Sequence, residues 1–364
     1  MLRVEFYVVS LVTLLLVLGC RSASHSDSYQ KALIAESDGN YEEALMWIKT
    51  AIKLDPHAAE PYYLKGIIEY DMGNIKESID DYDIAIATDP TIAPIWNERA
   101  ISKAALGDFL GAKADLDTAI DLGMRDSIVY YNRAFMLCKL KDYAASLKDY
   151  EKAIEIDPSI YYYYTQMAEA EYLLGDKQGA IEDYMAGINR NPFDYEDYYN
   201  VATIMVECGQ MALAMRNLDK AIELSPDYYR AYSGRAFIKN DLGDYSGAIQ
   251  DADMAISLDP SYPYSYRHRA VAELALNDLQ GALADLNHAI ELKDDYAEAF
   301  NTRGVVYMSQ GEIAEAIADF TKAIELKPLL REAFENRASA KERIGDLSGA
   351  EEDNRRANEI GDND

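Results

Sequence analysis

From His25 to Asp364 the chain alternates two amphipathic stretches, and the pair returns every 34 residues. Apolar residues three and four apart on each stretch fall on one side of a helix, so the pattern predicts an all-α chain of paired helices. A frame of 34 residues fits this span ten times without insertion or deletion. The eighth residue of every unit is Ala or Gly and the twentieth is Ala or Ser, as at Ala134 and Ser146. Small residues at one place on each helix let the two axes approach closely. Eight units end their first stretch with a glycine, at 39, 73, 107, 175, 209, 243, 311 and 345, which can take the left-handed turn that stops a helix. The next residue is often of the N-capping type: Asn40, Asn74, Asp108, Asp142, Asp176, Asp244, Asp278 and Asp346. Prolines at 56, 90, 158, 192, 226, 260 and 328 then forbid simple continuation of the second helix.

Within a unit the residues Tyr130, Ala134, Tyr143, Ser146, Tyr150, Ala153 and Pro158 stand at the spacing of a known signature. An Ala-Ile pair also recurs near the end of the second helix, as at Ala51-Ile52 and Ala323-Ile324. Together these features closely resemble the tetratricopeptide repeat (TPR) family, over essentially everything after residue 24. The resemblance implies a right-handed superhelical solenoid of ten helix-turn-helix TPR units around a concave groove. The last unit places Glu351, Asn354 and Asn358 where earlier units are apolar. A solenoid end has no neighbour to cover it, so this unit reads as its own C-terminal cap.

The first residues follow a different rule. Arg3 precedes an apolar run from Phe6 to Leu18, too short to span a bilayer comfortably but of the length of a secretory leader. Val17-Leu18-Gly19-Cys20 resembles a bacterial lipobox, which implies cleavage before Cys20 and lipidation of its thiol. The expected organisation is a leader over 1–19, lipidated Cys20 with a short tether over 20–24, and the solenoid over 25–364. Leu18 and Glu5 depart from the usual leader pattern, and Ser22-Ala23-Ser24 offers a cleavage site for plain secretion. A retained membrane anchor is the third possibility. Cys138 and Cys208 stand two units apart, too far for a bridge, and read as buried, inert thiols.

Six units carry Arg at their seventh residue and Asp sixteen residues later. The pairs are Arg99 with Asp115, Arg133 with Asp149, Arg235 with Asp251, Arg269 with Asp285, Arg303 with Asp319, and Arg337 with Asp353. Antiparallel packing of the two helices would bring each pair together, and a guanidinium fork matches a carboxylate held at fixed geometry. A ladder of partly buried ion pairs is expected, with an anion site made of stacked arginines as the competing reading. Met167 and Val201 break the series.

The run Ile160-Tyr161-Tyr162-Tyr163-Tyr164 divides by helical angle. Tyr164 falls in the large aromatic slot of the repeat and reads as core, while Tyr161 and Tyr163 read as junction or rim. By the resemblance, residues two, five, nine and twelve of each first helix face the groove. That implies groove positions for Tyr29, Tyr63, Ile67, Tyr70, Tyr131, Phe135, Tyr162, Tyr172, Tyr199, Arg230, Tyr264 and Arg267. Glu60, Asp71, Glu169, Glu196 and Glu207 would make this surface acidic. Tyrosine gives large contact area at small entropic cost, which suits adaptable recognition.

Charge narrows the class of partner. Thirty-five Lys and Arg against 64 Asp and Glu leave a formal net charge of -29, which disfavours nucleic acid. No Walker loop, nucleophile elbow or HExxH motif is present, and no catalytic residue, metal site or cofactor is expected. The sequence points to a lipid-anchored envelope protein, with the outer membrane favoured. It would bind a protein or peptide near the membrane, as an adaptor for envelope assembly or peptidoglycan enzymes. A glycan-binding or peptidoglycan-binding protein and a self-associating solenoid are the alternatives. A soluble secreted or periplasmic location also remains open, as does the homo-oligomeric state.

Overall fold

The computed structural model describes residues 26–361, so the leader, Cys20 and the tether lie outside the described residues. The chain divides into two compact units, Met1–Arg190 and Asn191–Asp364, at the boundary between the fifth and sixth repeats. The described part of the first unit holds ten helices. They are α1 (Ser26–Ser37), α2 (Tyr41–Leu54), α3 (Ala59–Asp71), α4 (Ile75–Thr88), α5 (Ala93–Ala105), α6 (Phe109–Asp121), α7 (Ser127–Lys139), α8 (Tyr143–Ile156), α9 (Tyr161–Leu174) and α10 (Lys177–Arg190). The second holds α11 (Tyr195–Glu207), α12 (Met211–Leu224), α13 (Tyr229–Asp241), α14 (Tyr245–Leu258), α15 (Pro263–Ala275), α16 (Leu279–Leu292), α17 (Ala297–Gln310), α18 (Ile313–Leu326), α19 (Arg331–Arg343) and α20 (Leu347–Gly361). Each repeat is one odd-numbered helix followed by one even-numbered helix, and the described residues contain no strand. These are ten consecutive units of a TPR solenoid, all-α throughout.

The turn chemistry explains where each helix stops. All eight glycines between paired helices have positive φ, and in the two repeats without glycine the same slot is held by Lys141 at 64° and Asn277 at 66°. Asn40, Asp108, Asp142, Asp176, Asp244, Asp278 and Asp346 then accept from the amide three residues on, so each satisfies one free N–H of the second helix. Asn74 departs from its expected capping role. Its side chain makes no cap bond, and its amide donates to Glu69 at 2.8 Å instead.

Within a repeat the small residues sit where the helices touch. A Cβ at Gly66 would stand 2.5 Å from the Tyr82 ring, so the ring itself occupies that space. The large aromatic slot is fixed from its far end. Tyr164, Tyr232 and Tyr266 donate to the carbonyls of Pro158, Pro226 and Pro260 at 3.2, 3.2 and 3.0 Å, and Trp96 donates to Pro90 at 3.0 Å. The proline that ends one repeat therefore anchors the first helix of the next, and the buried hydroxyl or indole N–H is satisfied. In α20 the alanines at 350 and 357 are buried while Glu351, Asn354 and Asn358 are exposed. The two thiols differ from expectation. Cys138 is half-buried against the Tyr150 hydroxyl, but Cys208 is exposed, because it stands at the C-terminal end of α11 rather than on its inner face.

Candidate functional site

The arginine series is built from two helices of one repeat and one helix of the repeat before. In all six repeats the Arg Nε and one terminal nitrogen donate to the two oxygens of the Asp sixteen residues later, at 2.6–2.9 Å. This is a bidentate fork, the strongest arrangement open to this pair. The other terminal nitrogen reaches sixteen residues back, into the preceding repeat. It finds Asp83, Asp117, Asp219 and Asp253 in four cases, Asn287 and Thr321 in the other two. One guanidinium thus fastens a repeat internally and stitches it to its predecessor. The second contact was open to sequence reading as an acceptor at minus sixteen, but only the forward spacing stands out.

Lys103, Lys239 and Lys341 add a second cation to Asp115, Asp251 and Asp353. Repeat two uses Lys65 on Asp81 at 2.7 Å in place of the arginine. Repeat five has neither cation. There Glu171 hydrogen-bonds Asp183, and burial together with the Asp183 charge pushes the Glu171 carboxyl up to about 8. Repeat eight places Glu273 beside the Arg269 pair, and burial followed by Asp285 raises it to about 7.

A second stitch joins successive odd-numbered helices. The fifth residue of one repeat meets the sixth of the next, 35 residues on. Asn132 donates to Asn97 at 3.1 Å, Ser233 meets His268 Nδ1 at 3.1 Å, Arg267 donates to Thr302 at 3.3 Å, and Asn336 donates to Asn301 at 3.0 Å. The expected groove positions differ in exposure. Five of the twelve expected groove residues are buried: Tyr29, Tyr63, Ile67, Tyr131 and Phe135, with Tyr63 only 4% exposed. The Tyr63 ring packs on Tyr82 of the second helix of its own repeat, and the Tyr131 ring packs on Tyr150 of its own repeat and on Tyr162 and Tyr163 of the next. Tyr70, Tyr162, Tyr172, Tyr199, Tyr264 and Arg267 are half-buried, and Arg230 is exposed.

The two units arrange their tyrosines differently. In the first, Tyr131 is the hub of a closed cluster. Its ring centroid lies 5.1 Å from Tyr162, 5.1 Å from Tyr163 and 5.9 Å from Tyr150. Tyr163 is buried and donates to Ser127 at 3.0 Å, which places it at the junction of two repeats. Nearby in the same unit, Glu98 is buried with one donor, the Asn97 amide at 3.0 Å. Burial and the Asp71 charge push its carboxyl up to about 7.

In the second unit the rings form a chain instead. Tyr195 and Tyr199 both contact Tyr228, at 4.8 and 5.4 Å. Tyr228 leads to Tyr229, then to Tyr262, Tyr264 and Tyr296, each step 4.8 to 6.4 Å. Apart from buried Tyr296 these rings keep contact with solvent. Cations lie along the chain. Arg230 donates to the Tyr229 hydroxyl at 3.3 Å, and Lys293 donates to the Tyr264 hydroxyl at 3.0 Å and lies 5.4 Å from the Tyr296 ring. Tyr228, Tyr262 and Tyr296 were missed because they stand just before a first helix, and Tyr229 because it opens one, rather than at groove positions. Their signal was present: Tyr228, Tyr262 and Tyr296 recur at a spacing of 34. On the inner side of this unit His268 is held neutral, its imidazole pushed down to about 3 by burial and then by the Arg267 charge.

Models of the tetratricopeptide repeat match residues 29–91, 127–160, 198–228 and 297–328, and a TPR repeat model matches 272–311. The chain belongs to the TPR family. Among solved structures it is similar to a tetratricopeptide repeat protein from Parabacteroides merdae, at 20% identity and a TM-score of 0.56, over 68% of this chain and 98% of that one. It is also similar to the APC/C hetero-tetramer Cut9–Hcn1, at 12% identity and a TM-score of 0.54, over 87% of this chain and 76% of that one. A third is the C-terminal part of a TPR repeat-containing protein from Cytophaga hutchinsonii, at 18% identity and a TM-score of 0.51, over 75% of this chain and 98% of that one. These likenesses carry the fold alone. No curated protein matches the chain. TPR units are protein-interaction scaffolds, and this TPR chain is read as one. No helix of the described residues is long and apolar enough to cross a membrane.

Proposed function

We propose that this TPR chain is an exported, lipid-anchored scaffold that holds a protein or peptide partner on the odd-numbered helices of its second unit. The observation that carries this reading is the chain of solvent-touching tyrosines from Tyr199 to Tyr264, flanked by Arg230 and Arg267. Rings that still touch solvent after folding have area left to bury against a guest, and tyrosine is well suited to that. The cluster around Tyr131 offers less, since Tyr131, Tyr150 and Tyr163 are buried and only Tyr162 and Tyr161 still touch solvent. The site is thus moved from the first repeats, where tyrosine is most frequent, to repeats six to nine.

The anchor rests on Val17-Leu18-Gly19-Cys20 and the apolar run before it. A tether of a few residues would keep the partner close to the membrane. An adaptor role in envelope assembly or with peptidoglycan enzymes, at the outer membrane, is the cellular setting we favour, and no chemistry is assigned to the chain itself. A photo-crosslinking residue placed at Tyr264 should trap a protein in intact cells, and one at Tyr63 should trap none. Equal yields at both positions, or none at either, would count against the site. Separately, Cys20→Ser should move the protein from the membrane to the soluble fraction, and unchanged membrane retention would rule out the lipid.

A further inference from the structure

We infer that the tyrosine chain of the second unit takes an acidic, extended protein segment, with Arg230 and Arg267 as the groups that select it. This rests on the scaffold reading and adds the chemistry of the guest. The chain as a whole is strongly acidic, with a formal net charge of -29, so a basic guest would be the simple expectation. The local arrangement reverses it. Arg at the seventh position is always held by a carboxylate, amide or hydroxyl at both ends. Arg230 and Arg267 are different. Arg230 is exposed and donates to the Tyr229 hydroxyl. Arg267 donates to the Glu298 backbone carbonyl and to Thr302, both at 3.3 Å. Neither forms an ion pair with any carboxylate of the described residues.

Asp259 and Glu298 lie close enough for the Arg230 and Arg267 charges to act on them, and exposed Glu196 lies beside Tyr228, but the two nearest carboxylates also have other donors. The Glu298 carboxylate accepts from Lys327 at 2.7 Å, and Asp259 accepts from Ser261 at 2.6 Å. Lys293 adds a third positive charge beside Tyr264, although Asp295 lies 3.9 Å from it. A guanidinium bound only to neutral oxygens keeps most of its charge available to an incoming carboxylate, and fork geometry favours that group over others. The overall negative charge does not cancel this, because screening in about 0.15 M salt limits exposed charges to a range of roughly 8 Å.

The spacing of hydroxyls and cations along the rings favours a peptide over an acidic glycan. Tyr195, Tyr199 and Tyr229 meet their partners at interplanar angles of 62°, 90° and 66°. Each such contact covers one face of one ring, and the Tyr229 and Tyr264 hydroxyls carry Arg230 and Lys293 beside them. Hydroxyls in a row, with cations between them, suit the carbonyls and carboxylates of an extended chain.

The test uses fluorescence anisotropy on the chain from Cys20 to Asp364 with three labelled decapeptide pools of matched hydrophobicity. One pool is enriched in Asp and Glu, one in Lys and Arg, and one is uncharged; oligogalacturonate serves as the acidic sugar. The acidic pool is expected to bind at least tenfold more tightly than the others. Arg230→Ala/Arg267→Ala should remove that advantage, and Arg230→Glu/Arg267→Glu should transfer it to the basic pool, with unaltered helical circular dichroism in both. Tight binding of the uncharged or basic pool by the parent protein, lost on Tyr199→Ala/Tyr264→Ala, would overturn the acidic assignment and leave the scaffold reading intact. Oligogalacturonate binding more tightly than the acidic peptides would overturn the peptide assignment. No binding of any pool at millimolar concentration would overturn both the assignment and the site.

Discussion

The two units use the same residue for opposite ends. Around Tyr131 the rings are drawn inward, and three of the neighbours sit within 6 Å. From Tyr199 to Tyr264 they are strung along the inner helices with cations between them. Position in the repeat is not the difference, since Tyr131 and Tyr199 both stand fifth and Tyr162 and Tyr264 both second. What differs is which rings are brought against them: Tyr162 and Tyr163 against Tyr131, and Tyr228 against Tyr199. Abundance of an aromatic residue therefore says little about a binding surface until its place in the packing is known. The buried titratable groups differ in the same way. Glu98 and His268 occupy the same sixth position of their repeats, one held neutral as an acid and the other as a base.

The largest effect expected from breaking this contrast is at its hub. Tyr131→Ala should destabilise the first unit by about 3–5 kcal/mol, because the cluster cannot close over the cavity. Tyr264→Ala should cost less than about 1.5 kcal/mol, since its ring is already partly in water. Chemical denaturation of each variant would check the order, and equal losses would erase the distinction between cluster and chain.

The arginine ladder is what the units share, and it sharpens the comparison as a control. Arg269→Leu should cost about 3–5 kcal/mol, because Asp285 loses its only cation and is left beside Glu273. Arg235→Leu should cost less, about 1–3 kcal/mol, because Lys239 still holds Asp251 at 2.7 Å. Adding Asp285→Leu to the first variant should recover part of its loss, and a strictly additive cycle would argue against coupling.

Titration should separate Glu98 from His268 by sign. The Glu98 carboxyl is raised from 4.5 to about 7, so the folded state binds more protons than the unfolded one between those values. Stability falls as pH rises through that window and levels off above it, by up to about 3 kcal/mol. Glu98→Gln should recover most of this at pH 8 and change little at pH 4. His268 is depressed from 6.5 to about 3, so its contribution is present above 6.5 and falls as the pH drops toward 3. The imidazole keeps some solvent contact, which limits that loss to about 2 kcal/mol. Melting curves of Glu98→Gln and His268→Gln from pH 4 to 8 should therefore diverge from the parent at opposite ends of the range. The smallest effect is in the turns. Lys141→Gly should stabilise by about 0.5–1 kcal/mol through relief of a left-handed backbone, and Asn277→Gly by less than about 0.5 kcal/mol, since Asn tolerates that region.

The sequence by itself determined the period, the helix pairs, the stops and caps, and the forward half of the arginine ladder. Each of these depends on residues close together in the chain or repeated at one fixed interval, where local geometry leaves little choice. Tertiary structure alone decided which inward positions remain open. The fifth and ninth residues look identical in the pattern whether or not the next helix covers them, as Tyr63 and Tyr199 demonstrate. It also decided that, among the described residues, Arg230 and Arg267 make no direct ion pair with a carboxylate while Arg235 and Arg269 do, because burial and pairing depend on which neighbours the packed helices bring within reach.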